Sequence, residues 1–188
     1  MGTLKLNNQE VFTETAGVVS AGSSFPSGHV LQVQTTWVNG RNETADTTAS
    51  GTGGDVGLNV TITPKKSGSY FFIVCSIGLG HCTSGSWGII LSRDGTRIGN
   101  GTKVGNREGV FMRGSENFNG DTNHSWGLTG SFLDQYNGSV AGTAIAYKCG
   151  LVCQSGFARI NRSQNNSDTA LVFGSYTASS VTAMEISQ

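Results

Sequence analysis

Through most of this chain apolar and polar residues alternate with a period of two, the pattern of strands half-buried in a sheet. His29 to Val38 sets Val30, Gln32, Gln34 and Thr36 against Leu31, Val33, Thr35 and Trp37. Val56 to Thr63 gathers Val56, Leu58, Val60 and Ile62 on one face and stops at Pro64, where a missing backbone donor does least harm. Trp87 to Arg93 places Trp87, Ile89 and Leu91 together. Asp94-Gly95 then reads as a two-residue hairpin turn, with Thr96-Arg97-Ile98 returning. His124 to Leu133 alternates Trp126, Leu128, Gly130 and Phe132. Shorter strands are expected at Val110–Met112, Thr143–Cys149, Leu151–Ile160 and Ala170–Phe173.

Two stretches are apolar on both parities. Ser69 to Ile77 is nearly continuously apolar and reads as a strand buried on both faces. Ser180 to Ile186 carries Val181, Ala183 and Glu185 on one parity and Ser180, Thr182, Met184 and Ile186 on the other, so cover is expected on both sides. Windows that could be helical fail through glycine content or through the period of two. The fold class is therefore all-β, and the regular spacing of strands predicts an antiparallel jelly-roll-type β-sandwich over residues 25–188.

Residues 1–24 form a separate unit, predicted as a short N-terminal β-arm. Thr3-Leu4-Lys5-Leu6 alternates, Asn7-Asn8 is a turn pair, Glu10 to Thr15 is extended, and Val18-Val19 precedes the small-residue linker Ala21-Gly22-Ser23-Ser24. Isolated hairpins are marginal in water. Such an arm is a frayed tail, packs on the domain behind it, or docks on another protein, and for the last Leu4, Leu6, Val11 and Phe12 are the candidates.

Composition narrows the function. Of 188 residues only 13% are charged, 28 are glycine and the formal net charge is zero, a profile of short strands and turns. Neither nucleic acid nor an anionic membrane would be drawn to such a chain, so neither is expected as a partner. The longest apolar run, Tyr70 to Cys75, is far short of a membrane span. A basic segment followed by an apolar one is missing at the N-terminus, and synthesis in a cytoplasm is expected.

Candidate chemistry is sparse. Cys75, Cys82, Cys149 and Cys153 are too few for a disulfide scaffold. With His81 they could hold zinc in principle, but the C-x3-C spacing of Cys149 and Cys153 is not a zinc knuckle, and buried cysteine behaves as a small hydrophobe. A disulfide between Cys149 and Cys153 across a tight turn is the alternative. His29, His81 and His124 accompany no G-x-S-x-G nucleophile elbow. The glycine-rich residues 50–54 lack the Lys-Ser/Thr ending of a phosphate cradle. No catalytic residue, metal or cofactor is assigned. Two long polar segments, 39–55 and 100–121, have the length of functional loops, and Trp37, Phe111 and Phe118 border or lie in them. Such rings could stack on sugar or anchor a partner; alternatively they cap the core.

One family resemblance emerges from four segments: Phe25-Pro26-Ser27-Gly28-His29-Val30-Leu31-Gln32, Val60-Thr61-Ile62-Thr63-Pro64-Lys65, Ile160-Asn161-Arg162-Ser163 and Ser179-Ser180-Val181-Thr182-Ala183-Met184-Glu185-Ile186. As an ordered set they resemble the globular head domains of tail-fibre-like or decoration-type virion proteins of tailed bacteriophages, especially those of marine cyanobacteria. Gly2-Thr3-Leu4-Lys5-Leu6-Asn7-Asn8 also looks like the lead-in of such proteins. The resemblance implies a jelly-roll head assembled as a homotrimer, displayed on a virion built in the host cytoplasm, joined to tail or capsid proteins through the arm. Long tail fibres carry an anchor and shaft before the head, so the two dozen residues here imply a short fibre, spike or decoration protein. A host-surface glycan is the further candidate partner. A carbohydrate-binding, lectin-like module is the alternative, and a polysaccharide-degrading enzyme a third.

Overall fold

The computed structural model describes residues 2–21, 27–40, 42–44, 51–105, 108–114, 126–162 and 176–188. Twelve strands and no helix occur among them, and every strand pairing is antiparallel. They are β1 (Gly2–Leu6), β2 (Gln9–Thr15), β3 (Val18–Ala21), β4 (Val30–Val38), β5 (Asn42–Thr44), β6 (Asn59–Ile62), β7 (Tyr70–Arg93), β8 (Thr96–Arg97), β9 (Met112–Gly114), β10 (Trp126–Asp134), β11 (Ile145–Ile160) and β12 (Ser179–Ile186). The strand anticipated at 170–173 lies outside the described residues.

β1, β2 and β3 form a three-stranded meander whose strands pair only with one another. Its two connections are two-residue turns, Asn7-Asn8 and Ala16-Gly17, with all four residues at positive φ. That is the turn whose twist matches flanking strands, and Asn and Gly tolerate it best. The expected Asp94-Gly95 hairpin has the same geometry, at φ 47° and 79°.

The remaining nine strands are one hydrogen-bonded network folded into two layers. β7, 24 residues long, runs through both. Its first half pairs with β12 on one side and β10 on the other, and β12 also pairs with β4, giving the layer β4-β12-β7-β10. Its second half pairs with β11, flanked by β9 and β8; β11 in turn carries β6 and β5 on its far edge. Two expected breaks are therefore filled: Ser69–Ile77 and Trp87–Arg93 belong to one strand, as do Thr143–Cys149 and Leu151–Ile160. Glycines permit the bend. A side chain at Gly80 would meet the Trp87 indole at 2.3 Å, and one at Gly78 the Ala178 carbonyl oxygen at 2.5 Å.

A single core fills the space between the layers. Phe71, Ile73, Val181 and Ala183 face it from the first, and Leu58, Ile62, Ile89, Leu91, Tyr147 and Leu151 from the second. The Phe71 and Tyr147 rings meet across the gap at 5.9 Å. The architecture is an all-β antiparallel sandwich.

Candidate functional site

Among the residues singled out by sequence, the arm positions stay outside. Leu4, Leu6 and Phe12 are 56%, 63% and 36% exposed, and Leu4 lies directly across from Phe12 in the β1–β2 pairing. Val11 falls at a bulge in that pairing and is half-buried. Trp37 lies on β4, bordering the 39–55 segment, paired with Ser180, and it is 74% exposed. Phe111 is half-buried against the core, its backbone N–H donating to the Ile89 carbonyl at 2.8 Å. It caps the sandwich instead of projecting from a loop. Phe118 and His124 lie outside the described residues. The long polar segments carry strand as well, β5 in the first and β9 in the second.

Sequence reasoning missed three buried polar clusters, and each one ties the two layers together. The Glu185 carboxylate, fully buried, accepts hydrogen bonds from the Lys65 and Lys66 backbone N–H groups, the Ser69 hydroxyl and the Gln32 amide, all within 2.7–3.0 Å. An ionised carboxylate can be buried only when so satisfied. One signal was available: Glu185 shares a parity with Val181 and Ala183. At the opposite side of the first layer, buried Asp134 pairs with Arg93 at 2.6 Å and accepts the Tyr147 hydroxyl at 2.9 Å. The Arg93 guanidinium lies 3.7 Å over the Tyr136 ring. Burial and the Asp134 charge hold the Tyr147 phenol protonated far above its ordinary range. Asn161, at φ 65°, marks where β11 and β12 part. Its side chain donates to the Val38 and Gly40 carbonyls and accepts the Ser179 hydroxyl at 2.5 Å.

All four cysteines are buried free thiols. The Cys149 thiol is pushed well up, first by its hydrogen bond with Cys75 and then by burial, so it is an inert core group. Cys149 and Cys153 are not joined by a tight turn. They lie four residues apart on the extended β11, roughly 13 Å at strand rise, beyond any disulfide. Cys82 and Cys153 donate to the Ser155 and Gly156 carbonyls. His81 is buried. Among the described residues, no group of three or more His, Cys, Asp or Glu side chains is gathered to hold a metal ion.

The outer faces of the two layers differ. Segments of the chain cover the second layer. A side chain at Gly150 would meet the Thr52 carbonyl oxygen at 1.8 Å, and one at Gly88 would meet Val110 at 3.2 Å. Ile90 and Val152, on the outward parity, are buried by this cover. Lys148 donates to the Gly53 carbonyl at 2.9 Å, and Arg113 donates to the Ser86 hydroxyl at 2.6 Å. The first layer has no such cover among the described residues. Its outward positions on β12 and on β7 from Tyr70 to Gly78 are half-buried, and those on β4 and β10 are half-buried or exposed.

No protein-family model matches the chain, and a search of curated proteins finds no relative.

Proposed function

We propose that this chain is a bacteriophage virion structural protein, a short homotrimeric fibre, spike or decoration protein whose jelly-roll-type head is displayed on the particle. The N-terminal meander is its attachment device, and no catalytic step is assigned to it. One observation carries the reading: a three-stranded sheet of some twenty residues that pairs only with itself and leaves Leu4, Leu6 and Phe12 exposed. So small a sheet gains little stability alone and gains most by laying its apolar side chains on another surface. The resemblance of the head to tail-fibre-like virion proteins supports the choice of surface. Partners would be tail or capsid proteins of the particle, and the location the virion.

Deleting residues 1–22 should leave a folded homotrimer that no longer joins particles in an infected host. Unchanged incorporation would overturn the role of the arm. A second reading, a lectin-like carbohydrate-binding module contacting the host surface, is favoured by Trp37. Its indole is exposed on a face bordered by the Thr35 and Ser180 positions, the combination of ring and hydroxyl that suits a sugar face. A glycan array probed with the protein and with Trp37→Ala tests it; binding unaffected by the substitution, or none, removes the second reading.

A further inference from the structure

We infer that the outer face of the layer β4-β12-β7-β10 is the surface through which copies of this chain pack on one another. The inference rests on the homo-oligomeric part of the proposed function and names the contact that part requires.

The first argument is a mismatch between sequence and fold. The first half of β7 is largely apolar on both parities and β12 partly so, a pattern that belongs to strands covered on both sides. Their inner residues are buried, whereas the outer ones are only half-buried, with Gly78 approached by Thr177 and Ala178. Register aligns those outer residues. Val33 pairs with Met184, Met184 with Phe72, and Phe72 with Leu133, so one apolar row crosses all four strands. At its ends Val33 and Leu133 remain 51% and 40% exposed.

Charge selects the occupant. Among the described residues, no Lys, Arg, Asp or Glu holds an outward position on this layer. A strongly charged partner finds no counter-charge there. A second copy, with the same uncharged face and zero formal net charge, meets no like-charge penalty. The polar rows beside the apolar one are prepared for desolvation. Thr35 and Thr182 hydroxyls pair at 3.0 Å, and Ser76 and Thr129 at 3.1 Å, so each of these oxygens keeps a hydrogen-bond partner when the face is covered.

Area is adequate. Four strands at ~4.8 Å spacing and eight residues of ~3.3 Å rise give a footprint of about 500 Å² in projection. Side-chain relief raises the accessible area toward the ~800 Å² per partner of a specific interface. The centre of the second layer offers no comparable face, because Thr52, Gly53 and Val110 lie over it.

The test uses the full chain. Light scattering should report a multiple of 19.6 kDa for the unmodified protein and 19.6 kDa for Val33→Glu/Leu133→Glu, with the β-sheet circular dichroism kept. The same charges on the second layer, Thr61→Glu/Ala146→Glu, should leave the larger mass unchanged. The inference is overturned by a monomeric unmodified protein, by an undiminished mass for Val33→Glu/Leu133→Glu, or by equal dissociation of the second-layer variant. If the glutamates prevent folding, Val33→Ser/Leu133→Ser should weaken self-association at least tenfold, and an unchanged dissociation constant would refute the face. Particle incorporation after deletion of residues 1–22 separately tests the virion role, so an oligomer broken by the Val33 and Leu133 changes stands even if that role fails.

Discussion

The two layers of this sandwich share a core and a strand, yet finish their outer faces in opposite ways. The second is covered over its centre by its own chain: Thr52 and Gly53 lie on Gly150, Val110 lies on Gly88, and Lys148 and Arg113 are engaged by neighbouring oxygens. The first leaves Val33, Phe72, Met184 and Leu133 in a row with no charge among them. A face finished from within is fixed by intramolecular packing, so it resists change in the monomer. A face left open tolerates change in the monomer and shows its importance only in assembly.

The strongest contrast expected lies within β12 itself. Glu185→Gln keeps the shape but places an amide NH2 among donors, and should cost about 3 kcal/mol by denaturant unfolding. The neighbouring Met184→Gln, on the open face, should change monomer stability by about 0.5 kcal/mol or less. Equal effects would mean that the two sides of β12 are not distinct. Next comes added bulk. Gly150→Ala forces the Thr52 carbonyl away and should cost about 2 kcal/mol, whereas Ser131→Val on the open layer should be close to neutral in the monomer.

Tyr147→Phe probes what joins the layers. It removes one of the donors to Asp134 while leaving Arg93, and should cost about 1.5 kcal/mol near neutral pH. The phenol's folded-state pKa is raised, first by burial and then by Asp134, so its contribution is whole below about pH 10 and declines as pH rises beyond that. The unmodified protein should therefore lose stability in alkali more steeply than Tyr147→Phe. The smallest effect concerns the cover of the second layer. Asp55 accepts the Gly57 N–H at 2.8 Å and the Asn59 amide at 2.9 Å, which lowers its pKa below the ordinary 3.8. That contribution is present above about pH 4 and is lost as pH falls through the lowered value. Because Asp55 is exposed, solvent screening limits it to about a few tenths of a kcal/mol. Asp55→Asn should thus scarcely move the neutral midpoint and should flatten its decline in acid.

The strand periodicity was legible where one face alone is buried. β4, β6, β10 and the Asp94-Gly95 hairpin lie where alternation and turn chemistry put them. It failed where a strand changes layers. Gly80, His81 and Cys82 are buried in succession as β7 crosses, so alternation disappears and the glycines look like a break. The buried polar clusters were illegible for another reason. Asp134, Arg93 and Tyr147 lie on three strands, and only the register brings them together. The exposed arm residues were recognisable because Leu4 and Leu6 recur in a segment too short to bury them.

The placement of β12 between β4 and β7 has a consequence for biosynthesis. β7 is complete at Arg93, but its partner β12 begins only at Ser179. At ~5–20 residues per second, the ribosome needs roughly 4–17 s to deliver that partner. Throughout that interval the apolar edge from Tyr70 to Ile77 is offered to any other nascent chain, and chains on neighbouring ribosomes carry the same edge. Folding of the first layer therefore waits on the last strand made, and an unpaired edge of this kind is the part of the chain most open to mispairing.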